Sequence, residues 1–344
     1  MTLDTGPWRM PAEHEPHERT WMAFPAPGYS LGDTEADHHE ARTAWSAVAN
    51  TIVDHEPVTV VVDPTQTEFA KKYLSATVDT VEAPLDDAWM RDIGPTFVVS
   101  ENGGVGGVDW VFNGWGGQDW AAWGHDQHIA RAVIERAGVE RIGSRLVNEG
   151  GGIQVDGAGT VLVTETVQLD RGRNPHLTKA DVERELARTL GVDTVIWLPC
   201  GLTRDSEQYG TRGHVDIVAA MPIPGTVIVH DQRDPGHPDH EVSRRIRDVL
   251  NGAVTSDGSP MTIVDVPAPR TLTDDEGFVD YSYINHYVAN GLVVACSFDD
   301  PSDAEAVDIL SSVYPGRTVV SVDARPFFAR GGGIHCITQN QPTR

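Results

Sequence analysis

The hydrophobic pattern of this chain switches repeatedly between two periods. Four stretches begin with apolar or alternating residues, turn at a glycine and return: GPTFVVSENGGVGGVDWVF (94–112), GGIQVDGAGTVLVTET (151–166), GHVDIVAAMPIPGTVIVHD (213–231) and YSYINHYVANGLVVACSF (281–298). Each reads as a β-hairpin. A fifth, GGIHCITQNQP (332–342), opens in the same way, and Ile334 to Thr338 is expected to be a strand with Cys336 at its middle. Between hairpins the pattern becomes helix, then short strand. EARTAWSAVANTIVDH precedes VTVVVD, and HDQHIARAVIERAG precedes RIGSRLV. KADVERELARTLG precedes TVIWLP, HEVSRRIRDVL precedes MTIVDVP, and SDAEAVDILSSV precedes TVVSVDA. Thr178 stands where it would cap its helix.

The hairpin starts recur every ~50–70 residues, the spacing at which a propeller-like array is expected. Five helix–strand pairs match five hairpin starts, with the N-terminal pair left to complete the last unit. The expected architecture is α/β: a closed ring of five ββαβ units spanning residues 1–344 as one domain, with helices outside and short strands around a central cavity.

Composition narrows what that cavity receives. The formal net charge is −25, and lysine occurs only at Lys71, Lys72 and Lys179. Such a surface repels phosphates and anionic lipid, so neither nucleic acid nor a membrane is expected as a partner. It would concentrate a cationic ligand, or serve solubility alone. No apolar run is long enough to span a bilayer, and the N-terminus has no signal-like segment. The three cysteines, Cys200, Cys296 and Cys336, form no CxxC pair, which argues against a disulfide framework and a structural zinc site. The cytoplasm is the expected compartment.

Candidate reactive residues recur at the hairpin openings: Asp92 in DDAWMRDIGPTF, Glu149 in NEGGGI, His214 and Asp216 in RGHVDIV, and Cys336. Equivalent points of a ring face one axis, so these side chains are expected to converge there. Each also has a structural reading: a surface ion pair of Asp92 with Arg91, a turn glutamate, a strand-end histidine, a buried core cysteine. His214 and Asp216 are two apart in an expected strand and so share a face, whereas His335 is expected to point away from Cys336. HPDH (237–240) reads as an exposed loop.

Carboxylates raise the pKa of a thiol and repel its anion. They suit a thiol nucleophile only when the substrate is a cation that offsets them. A guanidinium is planar, permanently charged and matched to carboxylates. The expected chemistry has Asp92 and Asp216 hold it, Cys336 add to its central carbon and His214 transfer the protons, with no metal or organic cofactor. A metal-dependent hydrolase using the same residues, a silent propeller that only binds cations, and an amidinotransferase are the alternatives.

Several stretches resemble the agmatine deiminase family (the agmatine deiminase/Porphyromonas-type peptidylarginine deiminase group): WMRDIGPTF (89–97), FNGWGG (112–117), NEGGGIQVDGAGTVLVTE (148–165), RNPHLTK (173–179), GHVD (213–216), GGGIHCITQNQP (331–342) and RMPAEHEPHERTWMAFP near the N-terminus. The resemblance implies the pentein fold, a five-bladed α/β propeller. It also implies Cys336 as nucleophile, His214 as general acid/base, and Asp92 and Asp216 as guanidinium ligands, with Glu149 beside them. Trp89 and Trp115 are expected to wall the cavity or to be ordinary core, and Gly333 to let the backbone approach the substrate. The expected partners are a small cationic guanidine and further copies of the chain, as a dimer or tetramer. Where many family members carry an acidic residue four positions before the histidine, this chain has Gly210, in a longer loop LTRDSEQYGTR. Asp205 or Glu207 is expected to supply that carboxylate. Agmatine ranks first as substrate, and a carboxylate-bearing guanidine such as arginine, paired by Arg212, ranks second.

Overall fold

A computed structural model describes residues 6–207 and 210–344. Five sheets repeat one plan: an antiparallel strand pair, a helix, and a strand returning parallel to the second. In the first blade Thr96–Ser100 pairs with Val105–Val111, the helix is Ile129–Ala137, and Glu140–Val147 returns. The second joins Gln154–Val155, Thr160–Thr164 and Thr194–Leu198 across the helix Lys179–Leu190. Ala219–Ile223, Thr226–Asp231 and Thr262–Pro267 form the third with Asp239–Gly252. Tyr287–Ala289, Leu292–Ser297 and Thr318–Asp323 form the fourth with Asp303–Val313.

The fifth blade closes the ring with both ends of the sequence. Thr338–Pro342 lies antiparallel to His17–Ala23, after which Glu35–Ile52 and Val58–Val62 complete the unit. Trp21 Nε1–H donates to Gln341 Oε1 across this seam at 2.8 Å. The helices begin and end where local chemistry dictates. Thr34 and Thr178 each accept from the backbone N–H three residues on, with Asp37 and Asp181 completing capping boxes. Gly191, at φ 69°, ends its helix in the left-handed conformation that glycine adopts at little cost.

Two expected strands are not strands where the candidate residues lie. His335–Ile337 is a single 3₁₀ turn, and the strand begins only at Thr338. Val215–Ile217 is likewise a 3₁₀ turn, with His214 at its N-cap. Gly150–Gly152 and Met90–Ile93 are the corresponding turns of two further blades. The Met90–Ile93 turn packs on those at 150–152 and 335–337, and the 150–152 turn packs on 215–217. Single turns at the ring axis, rather than strand faces, therefore carry the site. HPDH also differs from its expected exposed loop: His237 and Asp239 are buried, and Asp239 Oδ1 accepts from the Thr203 backbone and hydroxyl.

Among the described residues no helix is long and apolar enough to cross a membrane.

Because the closing blade is built from sequence-distant strands, deleting residues 338–344 leaves His17–Ala23 as an open edge. The truncated protein is expected to lose its cooperative urea transition, read by tryptophan fluorescence. A transition of unchanged midpoint would show that the seam is dispensable.

Candidate active site

Asp92, Glu149, His214, Asp216 and Cys336 come together at the axis, each almost fully buried. Cys336 Sγ lies 3.7 Å from Asp216 Oδ2. His214 Nε2 lies 3.2 Å from Glu149 Oε2, and His214 Nδ1 is 3.9 Å from Asp92 Oδ1. The Asp92–Arg91 surface pair is not formed: Arg91 is buried and faces Glu13 instead.

The glycine run after Glu149 has a steric cause. A Cβ on Gly151 would stand 2.5 Å from His214 Nδ1 and 2.9 Å from Asp92 Oδ1. Its backbone N–H donates to that same Asp92 oxygen at 3.1 Å. The second Asp92 oxygen accepts from Trp115 Nε1–H at 2.8 Å. Trp115 has φ 53° and ψ 44°, a left-handed backbone that costs a non-glycine residue about 1–3 kcal/mol. The flanking motif enforces it, as the Asn113 side chain accepts from the Gly116 N–H. Trp115 is thus a ligand of the carboxylate as well as a wall. Trp89, Trp115, Trp120, Gly210 and Gly331 line a narrow cavity over Cys336 and Asp92.

At the C-terminal glycines the constraint is similar. A Cβ on Gly332 would meet the Trp89 ring at 2.7 Å, and one on Gly333 would meet Asn285 Oδ1 at 2.5 Å. Asn285 was not anticipated from the sequence. Its Nδ2 lies 3.3 Å from Cys336 Sγ, and its Oδ1 accepts from the His335 N–H at 3.0 Å. A neutral asparagine in YSYINHY carries no charge signal, although it sits at the one hairpin opening left without a candidate. Arg173 was also missed as a site residue, though it lies in the RNPHLTK stretch; its Nε bonds both Glu149 oxygens at 3.0 Å.

Electrostatics follow from enclosure. Burial pushes the Asp92 carboxyl up to about 6, against the pull of His214. His214 rises to about 9, because Asp92, Glu149 and Asp216 outweigh its desolvation. Glu149 is held low despite burial by Arg173 and His214. Burial, then Asp216 and Asp92, push the Cys336 thiol well above its ordinary value, opposed by the Gly333 N–H and Asn285. Among the buried atoms without a hydrogen-bond partner are His214 Nδ1 and Asp216 Oδ1. An imidazolium N–H and a carboxylate oxygen are therefore both left for something else to bind.

The loop before His214 departs from expectation. Asp205 accepts from Thr211 N–H and hydroxyl and from His214 N–H at 2.7–3.0 Å, so it braces the histidine rather than presenting a free carboxylate. Arg212 donates to the Glu207 carbonyl. The expected separation of His335 from the site also fails: its Nδ1 lies 2.7 Å from Asp216 Oδ2. The strand argument gave the wrong direction because residues in a 3₁₀ turn do not alternate. Among the described residues, no three His, Cys, Asp or Glu side chains are arranged to hold a metal ion.

Residues 9–342 match the Porphyromonas-type peptidyl-arginine deiminase family. A relative from Streptomyces coelicolor is 56% identical over 336 residues, covering 97% of this chain and 99% of its own. The chain belongs to this family. The agmatine deiminase of Ectopseudomonas mendocina is 40% identical over 371 residues, 99% of this chain and 98% of that protein. Among solved structures, the agmatine deiminase of Enterococcus faecalis aligns with TM-score 0.91 at 31% identity, covering 98% of this chain and 96% of that one. The five-bladed ring is accordingly the pentein fold, and the chain is a deiminase-family hydrolase acting on C–N bonds.

Replacing Gly151 with alanine must displace His214 or Asp92. The G151A protein is expected to lose ~1–3 kcal/mol of stability to overpacking and more than about 100-fold in deiminase turnover to misplacement. Urea midpoints and ammonia release measure the two. Wild-type turnover would show that the close approach has no role.

Proposed function

We propose that this protein hydrolyses agmatine to N-carbamoylputrescine and ammonia through a thiol-bound amidino intermediate. The observation that carries this reading is a buried thiol placed beside two carboxylates, Asp216 and Asp92, an arrangement that favours reaction only when a cation enters. In this reading the guanidinium lies between Asp92 and Asp216, with one N–H on the unpartnered Asp216 Oδ1. Its positive charge lowers the thiol pKa on arrival, so the thiol releases its proton to solvent and the nucleophile forms where it is needed. Sγ bonds to the central carbon, and the C–N bond to one terminal nitrogen breaks as His214 Nδ1–H delivers the proton that makes ammonia. Water then gives a proton back to His214 while adding to the thiouronium carbon. The C–S bond breaks to release the urea product and the thiol.

The butylammonium tail sets agmatine above arginine. Beyond Gly210 and Gly331 the narrow cavity meets a second one of about 910 Å³, lined by Asp205, Glu207, Asp239, Glu276 and Asp280. Among its described lining residues the arginine, Arg204, is already paired with Asp274 and Glu276. An ammonium is favoured there and an α-carboxylate repelled. The agmatine deiminase names of the relatives support the same choice.

Intact-mass analysis after acid quench is expected to show an amidino adduct on the peptide containing Cys336. The Cys336→Ala protein is expected to release no ammonia. An adduct on Cys200 or Cys296 would overturn the assignment. kcat/KM for agmatine should rise with pH through about 6 as Asp92 ionises, and fall through about 9 as His214 loses the proton it must donate. A profile flat from pH 5 to 7 would remove Asp92 from guanidinium binding.

A further inference from the structure

His335 joins the site to a residue more than three hundred positions away in the sequence. Its ring lies between two carboxylates: Nδ1 is 2.7 Å from Asp216 Oδ2 and Nε2 is 2.8 Å from Glu13 Oε2. A neutral imidazole has one donor and one acceptor nitrogen. Two carboxylate partners require both nitrogens to donate, so the ring is held as imidazolium. Glu13 is itself fixed: Oε1 accepts from the Val288 N–H at 2.9 Å, and Arg91 lies 3.5 Å from Oε2. Arg91 also donates to the His335 carbonyl and to Asn340 Oδ1, so the same guanidinium orients the turn that carries the ring. The other titratable group facing His335 is His286. Burial holds it neutral, with its ring nitrogens on the Tyr283 carbonyl and the Tyr314 hydroxyl.

We propose that Glu13 and His335 are positioning residues for the deiminase reaction: Glu13 keeps His335 protonated, and the imidazolium fixes the Asp216 carboxylate by Oδ2 so that Oδ1 receives the guanidinium. Arg91, Glu13, His335 and Asp216 form a row of alternating charge that ends on Asp216 Oδ1, a buried carboxylate oxygen without a partner. The substrate cation is the next member of the row. The pair also limits how strongly Asp216 holds the Cys336 thiol proton 3.7 Å away, because the oxygen facing the thiol is the one that His335 engages. This inference rests on the guanidine-deiminase reading for its kinetic consequences, but not for the protonation state it assigns.

Two measurements separate them. In ¹⁵N-correlated spectra of the wild-type protein, both His335 ring nitrogens are expected to carry protons at pH 7.5. In Glu13→Gln only Nδ1 should remain protonated, since the Gln amide can donate to Nε2. The kinetic signature is a pH-dependent loss. At pH 7.5 Glu13→Gln should lower kcat/KM for agmatine by about 10- to 100-fold, the range of one charged hydrogen bond. The deficit should shrink toward pH 6, where His335 protonates without help, and Glu13→Asp should recover part of the activity. A deficit equal at all pH values, with Asp and Gln equally damaging, would reduce the pair to a packing role. A neutral His335 in the wild-type spectrum would overturn the proposal outright. If the wild-type protein turns over no guanidine, the functional reading falls while the spectra still decide the state of His335.

Discussion

Charge buried away from water is the constraint that the rest of this structure answers. Carboxylates and imidazoles at the axis lose hydration that would cost several kcal/mol each if nothing replaced it. The protein replaces it group by group: Arg173 and His214 for Glu149, Trp115 and Gly151 N–H groups for Asp92, His335 for Asp216, Arg91 and His335 for Glu13. Four acids (Glu13, Asp92, Glu149, Asp216) thus face four bases (Arg91, Arg173, His214, His335). The resting balance leaves the thiol neutral. In the proposed reaction the entering guanidinium adds one positive charge, which a Cys336 thiolate matches without an outside ion.

The ring was legible because its blades are long enough to show a period. Helices such as Lys179–Leu190, with Thr178 before it and Gly191 after it, declare themselves by spacing and caps. The turns that carry the candidate residues are three or four residues long, too short for any period, and HCI or VDI among β-branched neighbours reads as strand. That error left Cys336, His214, Asp92, Asp216 and Glu149 together at the axis, because the turns occupy equivalent places in their blades. It did misdirect His335, whose orientation depends on the local backbone and not on blade position.

What remained hidden has a common physical reason. Asn285 is neutral, and Glu13 is near the N-terminus, far in sequence from the ring it charges. Arg173 stands beside a second arginine, Arg171, in a polar loop that gives no sign of its partner. Each acts by completing another side chain's hydrogen bonds, and such pairing leaves no trace in composition or periodicity. Glycine runs were the more informative signal. GGG at 150–152 and 331–333 mark the places where backbone must pass within van der Waals distance of His214, Asp92, Trp89 and Asn285.

The seam of the fifth blade bears on how the protein comes into being. The turn that carries Cys336 and the strand after it pair with Glu13 and His17–Ala23, more than three hundred positions earlier in the sequence. The middle blades can fold from contiguous segments, whereas His17–Ala23 keeps one edge unpaired until Thr338–Pro342 is in place. Contacts of such sequence separation slow folding and leave an apolar edge exposed meanwhile. Closing the ring is also what brings Cys336 to the axis, so that the seam and the candidate site are completed in one event.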